Sequence, residues 1–230
     1  RRRSPVLAYL WAWCIKCPYC NQRLPLLNHM WLARGRRGGE KKRIGISIRT
    51  TEDLDFKIDI NNKIRDEEAE GFTQKGGKAI CIRCRNSISY EQMTSDISKR
   101  KDRELICVVV AADDKKKKGK VYESPTEADK AKLRKAGADL VPVEEIRPDH
   151  RREHHLWKYG IRNWYDFYNE RQLVLMTTLL RNIRLVCKDL ASSVDDRDRD
   201  REYARTVATY LSFMLCKHVD YNCMGIGWNV

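Results

Sequence analysis

Two short runs carry the residues with the clearest chemistry, Cys17-Pro18-Tyr19-Cys20 and Cys81-Ile82-Arg83-Cys84. Each is a C-x-x-C pair, whose spacer lets both sulfurs turn toward one ion across a tight turn. Two such pairs supply four thiolates, enough to close a tetrahedral structural zinc site. Pro18 pre-sets φ for the first turn. Asn21 follows it, and asparagine tolerates the left-handed backbone often needed at that point. Residues 21–80 separate the pairs, whereas compact ribbons have about 15–20 residues there. Cys14 creates an overlapping pair, Cys14-Ile15-Lys16-Cys17, and could replace Cys17 or Cys20 as a ligand. The proline after Cys17 favours Cys17 with Cys20. A redox pair would need a thioredoxin-like βαβ context, which the pattern does not offer. Four unconnected buried thiols are the plainer alternative. Cys107, Cys187, Cys216 and Cys223 lie in apolar stretches and are expected in the core.

The second chemical feature is charge. Lys plus Arg number 46 against 32 Asp plus Glu, a net charge of +14, which favours an anionic partner, nucleic acid first. The excess concentrates in Arg34-Gly35-Arg36-Arg37-Gly38-Gly39-Glu40-Lys41-Lys42-Arg43 and in Lys115 to Lys118. Both read as flexible basic loops. Arg36, Arg37, Lys41, Lys42 and Arg43 are the candidate nucleic-acid contacts, set against the alternative of loops that are merely solvated. With 42% hydrophobic residues the chain is neither low-complexity nor wholly disordered. No run approaches the ~18–20 apolar residues of a membrane span. Leu7 to Trp13 is too short and too aromatic for a signal peptide. A cytoplasmic setting is therefore expected, where structural disulfides are rare.

These residues need elements to hold them. Residues 5–13 read as a strand entering the first knuckle, with Leu24–Leu27 and Met30–Leu32 as its return. Ile44, Ile46 and Ile48 alternate, as do Phe56, Ile58 and Ile60, so both runs predict half-buried strands joined by a turn at Thr51-Glu52-Asp53. Residues 61–70 read as charged and exposed. Gly76-Gly77 turns the chain into Ala79-Ile80-Cys81, the strand bearing the second knuckle, and Leu105 to Ala111 is a buried-strand candidate. Ser124, Pro125 and Glu127 predict a helix start, with its end near Gly137. Residues 138–156 read as a connector. Asn169 with Gln172 predicts a capped helix continued by Leu173, Met176, Leu180, Ile183 and Cys187 to Leu190. Tyr203, Val207, Tyr210 and Met214 predict the core stripe of a last helix.

Several catalytic patterns are missing: no G-x-x-x-x-G-K-[ST] loop, no G-x-S-x-G elbow and no H-E-x-x-H helix occurs. The five histidines make no ligand pattern, and His154-His155 falls in a charged connector. No residue is assigned a catalytic role.

Five stretches in series resemble one family, the prokaryotic adenine-specific DNA methylases that contain a zinc ribbon. They are Ala8–Ala12 followed by the first knuckle, Pro25-Leu26 and Trp31-Leu32-Ala33; Gly77–Cys84; Tyr122 to Asp129; Tyr159-Gly160-Ile161 with Trp164, Asp166-Phe167, Arg171-Gln172-Leu173 and Thr177-Thr178; and Tyr203-Ala204 through Tyr210-Leu211 to Asp220-Tyr221-Asn222 and Trp228. The resemblance implies a restriction–modification enzyme that transfers a methyl group from S-adenosylmethionine to adenine in DNA. It also implies a Phe-x-Gly-x-Gly-type cofactor loop before the matched region and an Asp-Pro-Pro-Tyr-type catalytic motif after it. This sequence has neither, so the chain is expected to be the middle of such an enzyme, with S-adenosylmethionine bound only by the whole. Its partners are then DNA and the remainder of the methyltransferase chain or a catalytic subunit.

The expected fold class is α+β. A zinc-ribbon-like β region with basic loops covers 1–122, a helix and connector cover 123–156, and a helical region covers 157–230. In the full enzyme the helical region would pack on the Rossmann-like methyltransferase sheet. The competing expectation is a stand-alone zinc-ribbon nucleic-acid-binding protein, or partner subunit, without catalytic activity.

Overall fold

A computed structural model describes residues 4–37, 40–112, 119–131, 140–147, 156–192 and 198–223. The architecture is mixed α+β, with antiparallel sheets and several helices. It divides into two compact units, one formed by Arg1–Lys130, Pro148–Gly160 and Trp228–Val230, the other by Ala131–Arg147 and Ile161–Gly227.

In the first unit, β1 (Val6–Lys16) and β9 (Arg103–Ala111) form the centre of a four-stranded sheet ordered β10-β9-β1-β2, with β2 at Arg23–Pro25 and β10 at Lys120–Glu123. Leu105 to Val110 are all buried, which is why β9 is an unbroken apolar run rather than an alternating one. A register shift opposite Leu10 and Trp11 inserts an extra residue into β9. Ile106 and Cys107 consequently both join the same core cluster, the expected effect of a bulge on strand alternation. That cluster joins Ala12, Val109 and Tyr122 to Leu32, Ala33, Ile44 and Ile46 of a second sheet, a meander of β3 (Trp31–Arg37), β4 (Glu40–Thr50) and β5 (Phe56–Asn61). Leu105, Val108 and Val110 form a separate cluster with Val6, Tyr9 and Trp11.

Three expectations change here. Trp31-Leu32 does not return along β1; it starts the meander, and of the expected return only Arg23–Pro25 pairs with β1. The basic loop is a paired hairpin for most of its length, with Gly38-Gly39 outside the described residues. The segment 61–70 is not simply exposed. It includes a short helix, α1 (Asp66–Ala69), and buries Ile64 and Ala69 against Trp31, because two apolar residues among charges suffice to dock one turn.

A third, small sheet of β6 (Gln74–Lys75), β7 (Lys78–Ile80) and β8 (Ser87–Ile88) carries the second knuckle. Gly76 and Gly77, at φ +60° and +76°, make the two-residue hairpin that only positive φ allows. Next comes α2 (Tyr90–Arg100), which no sequence signal above predicts. A signal is nonetheless present: Ser89 accepts a hydrogen bond from the Gln92 backbone N–H, and the Gln92 side chain accepts from the Ser89 N–H, a full capping box. Gly160 closes the unit. Its φ is +71°, and a Cβ there would stand 2.8 Å from Ser98 Cα, so Tyr159 can lie edge-on against Tyr90 at 6.2 Å.

Helix α3 (Glu127–Ala131) starts from Thr126, whose hydroxyl and backbone N–H engage the Asp129 carboxylate. That start lies two residues beyond the Ser124 cap expected from the sequence. The predicted end near Gly137 and most of the 138–156 connector, with His154 and His155, lie outside the described residues, as do Lys115 to Lys118.

The second unit is a helical hairpin of α4 (Glu170–Ser192) and α5 (Asp198–Tyr221). Asn169 and Gln172 exchange the predicted capping hydrogen bonds at 2.8 and 2.9 Å. Met176 and Ile183 of the predicted seam are buried. On α5 the predicted stripe holds only at Val207, which is half-buried. Tyr203, Tyr210 and Met214 are exposed, and the half-buried positions are Ala204, Val207, Ala208, Leu211, Leu215 and His218. This helix carries apolar residues on two faces, and small Ala204 and Ala208 suit close helix approach better than tyrosines whose hydroxyls need a partner. Cys216 is likewise exposed and Cys187 half-buried; among the cysteines expected in the core, Cys107 is fully buried. Among the described residues no helix is long and apolar enough to cross a membrane.

Candidate metal centre and the basic hairpin

Each knuckle is built by its own backbone. In the first, the Asn21 N–H donates to Cys17 O and the Cys17 N–H to Gln22 O, both at 2.9 Å. In the second, the Arg85 N–H donates to Cys81 O at 3.1 Å and the Cys81 N–H to Asn86 O at 3.0 Å. The two turns are counterparts residue for residue. Both need a left-handed residue directly after the second cysteine: Asn21 at φ 59° and Arg85 at φ 62°. Asparagine adopts that conformation with little penalty, whereas a long side chain there costs on the order of 1 kcal/mol.

The fold brings the knuckles together despite the residues between them. Cys17 Sγ lies 3.7 Å from Cys84 Sγ, and Cys20 Sγ lies 3.6 Å from Cys81 Sγ. All four sulfurs fall within 4.8 Å of one another. Zinc–thiolate bonds of about 2.3 Å in a tetrahedron put sulfurs ~3.8 Å apart, so the four cysteines fit such an ion. The long spacing does not weaken the site, because residues 21–80 are an inserted sheet and hairpin rather than a slack loop.

Burial and backbone dipoles set the thiol chemistry. Burial pushes the Cys17 thiol up to about 12 and raises Cys81 as well. Backbone N–H groups oppose this: those of Tyr19 and Cys20 favour the Cys17 thiolate, and those of Arg83 and Cys84 favour the Cys81 thiolate. At Cys84 the N–H of Asn86 wins and lowers the thiol to about 7. A metal-free cluster therefore offers Cys84 as a thiolate near neutral pH, while the buried thiols need a cation to deprotonate.

Cys14 is not part of the cluster. It lies in β1 opposite Pro25, donates its N–H to Asp102 O at 2.9 Å, and has its thiol pushed up to about 12 by burial. The competition among the first three cysteines is thus decided for Cys17 and Cys20.

The surroundings hold the cluster rigid. Ile15, Leu24, Ala79, Ile88, Met93 and Ile97 pack with Cys17 and Cys81 in one buried core, so α2 is the floor of the centre. Beside it, Arg23 binds Asp102 with two hydrogen bonds at 2.7 and 2.9 Å, Glu104 at 3.0 Å and Asp55 at 3.2 Å, with its guanidinium 5.1 Å from the Phe56 ring centre. Burial disfavours the charge on Asp102, but Arg23 and Arg100 prevail and hold its carboxyl below the usual range. This network ties β2, β5 and β9 together next to the first knuckle. Sequence reading missed it because its members are far apart in the chain and none has a motif.

The candidate DNA contacts separate by register. Arg36 stands opposite Lys41 and Arg34 opposite Arg43, and strand alternation puts these four positions on one face of the hairpin. Arg37 opposite Glu40 and Lys42 opposite Gly35 take the other face, the one that continues to buried Ala33 and Ile44. Arg43 is engaged: its guanidinium donates to Asp66 at 2.7 Å. Exposed Arg34, absent from the sequence-derived set, lies with its guanidinium 5.8 Å from the Trp31 ring centre.

No protein-family model, no curated protein and no solved structure matches the chain.

Proposed function

We propose that the first unit is a structural zinc module that presents a basic hairpin to DNA, serving an adenine-specific DNA methyltransferase. The convergence of four cysteine sulfurs from two equivalent knuckles carries the reading. Cys17, Cys20, Cys81 and Cys84 would hold zinc through their four sulfurs, and the metal would supply a structural cross-link between the knuckles rather than chemistry on substrate. The chain's own residues do the rest. The α2 floor and the Arg23 network fix the knuckles, and the hairpin lines up the Arg34, Arg36 and Lys41 positions where a phosphodiester backbone can be met. Six cations against Glu40 over residues 34–43 favour an anionic partner.

The methyltransferase part rests on the five stretches from Ala8 to Trp228 that resemble that family in order. In such an enzyme the flipped adenine and S-adenosylmethionine are handled by motifs outside this sequence. This chain contributes the zinc module, DNA contacts and scaffold helices.

The metal is tested by mass spectrometry under native conditions, with one zinc per chain expected. DNA binding is tested by anisotropy against salt. Replacing Arg36, Arg37, Lys41 and Lys42 by Gln is expected to flatten the log–log salt slope by ~0.9 for each phosphate that the hairpin no longer neutralises; an unchanged slope removes the hairpin from the interface. Methylation is tested by reconstitution with a catalytic polypeptide of that family. Adenine methylation that depends on this chain supports the enzyme, and DNA binding without it favours the stand-alone subunit.

A further inference from the structure

The two knuckles share a backbone but not a surface. The left-handed position that Asn21 fills cheaply in the first is occupied by Arg85 in the second. The Arg85 side chain is exposed, so packing does not explain the choice. Two residues earlier Arg83 is exposed too. Arg43, Arg49, Arg65 and Arg100 all hold carboxylates, whereas among the described residues no ion pair uses Arg83 or Arg85. The counterpart of Arg83 in the first knuckle is Tyr19, an aromatic ring 57% exposed. Each of these residues is within one position of a ligand cysteine, and the four sulfurs lie within 4.8 Å. Chain geometry therefore keeps Tyr19, Arg83 and Arg85 within roughly 15–20 Å of one another.

We propose that the knuckle tips are a second nucleic-acid contact, separate from the basic hairpin. Arg83 and Arg85 hold successive phosphates, and Tyr19 stacks on an unpaired base. An exposed aromatic beside unpaired guanidinium groups suits single-stranded nucleic acid, where every base offers a π-face and every link a charge. A duplex would satisfy the arginines but leave the tyrosine without a base to stack on. Backbone strain retained at an exposed arginine is the kind of outlier from which a role is inferred. The inference deepens the reading of the first unit as a nucleic-acid module and rests on it.

The test uses the full zinc-loaded chain and fluorescein-labelled 20-nucleotide probes, one single-stranded and one fully paired. Arg85→Asn copies the first knuckle and suits the left-handed backbone, so zinc content should stay at one per chain. Its affinity for the single strand should fall about 5–10-fold and its salt slope by ~0.7. Tyr19→Ala should weaken single-strand binding with an unchanged salt slope and leave duplex binding untouched. Wild-type affinity in both variants, while the Gln-substituted hairpin loses binding, overturns the knuckle proposal and leaves the hairpin reading standing. No binding of either probe by the wild-type chain overturns both. Equal competition by an acidic peptide such as poly-glutamate shows a generic polyanion surface and overturns the assignment to single-stranded nucleic acid.

Discussion

The two units solve the same problem with different means. In the first, short strands are held by a fully buried core, a four-sulfur cluster and a multivalent arginine. In the second, two long helices touch along one seam, and α5 has no fully buried residue among those described. Tyr203, Tyr210, Phe213 and Tyr221 remain 63–71% exposed on α5. A β unit whose strands pair across long stretches of chain must fix its interior to exist at all. A helical hairpin satisfies its backbone internally and can leave apolar side chains in water.

Metal removal should separate the units most sharply. A structural zinc contributes ~10–16 kcal/mol to folding in small modules. Chelation, or Cys81→Ser, should therefore abolish the cooperative transition of the first unit while the helical circular-dichroism signal of α4 and α5 persists. Loss of both signals together would mean that the units are energetically one.

Core truncation comes next. Ile97→Ala removes a fully buried side chain from the α2 floor and should cost 2–5 kcal/mol, roughly. Leu211→Ala, at a half-buried position of α5, should cost less, about 1 kcal/mol. Denaturant midpoints of the two variants check the ordering, and equal losses would break the contrast.

Acidity gives a smaller effect with a definite sign. Asp102 is held below its unfolded value, so its stabilising contribution is complete above about pH 4 and is lost as pH falls through the folded value. With zinc in excess, wild type should exceed Asp102→Asn in stability at pH 6. The difference should shrink on acidification below pH ~4, as read from thermal midpoints. The smallest effect is expected for Tyr210→Ser, within about 0.5 kcal/mol, because Tyr210 is 71% exposed. A larger loss would show that the exposed stripe is covered in solution.

Legibility in the sequence followed how local the physics is. The Asn169–Gln172 box, the Gly76-Gly77 turn and the alternating strands at 44–48 and 56–60 depend on neighbours in sequence, and all are present in the structure. The α2 capping box is equally local, but Ser89–Gln92 has no long apolar run after it to draw attention. The stripe on α5 was misread because periodicity reports an apolar face without saying which of two faces meets a partner.

By itself the sequence determined the knuckles. A C-x-x-C turn aims two sulfurs at one point through a few backbone hydrogen bonds, whatever the rest of the chain does. Only the tertiary structure decided that the two points coincide and that Cys14 stays apart. It also fixed that position 36 stands opposite position 41 in a paired ribbon, and which face of α5 turns inward. Those outcomes depend on strand register and on packing between distant segments, and a residue's neighbours in sequence hold no record of either.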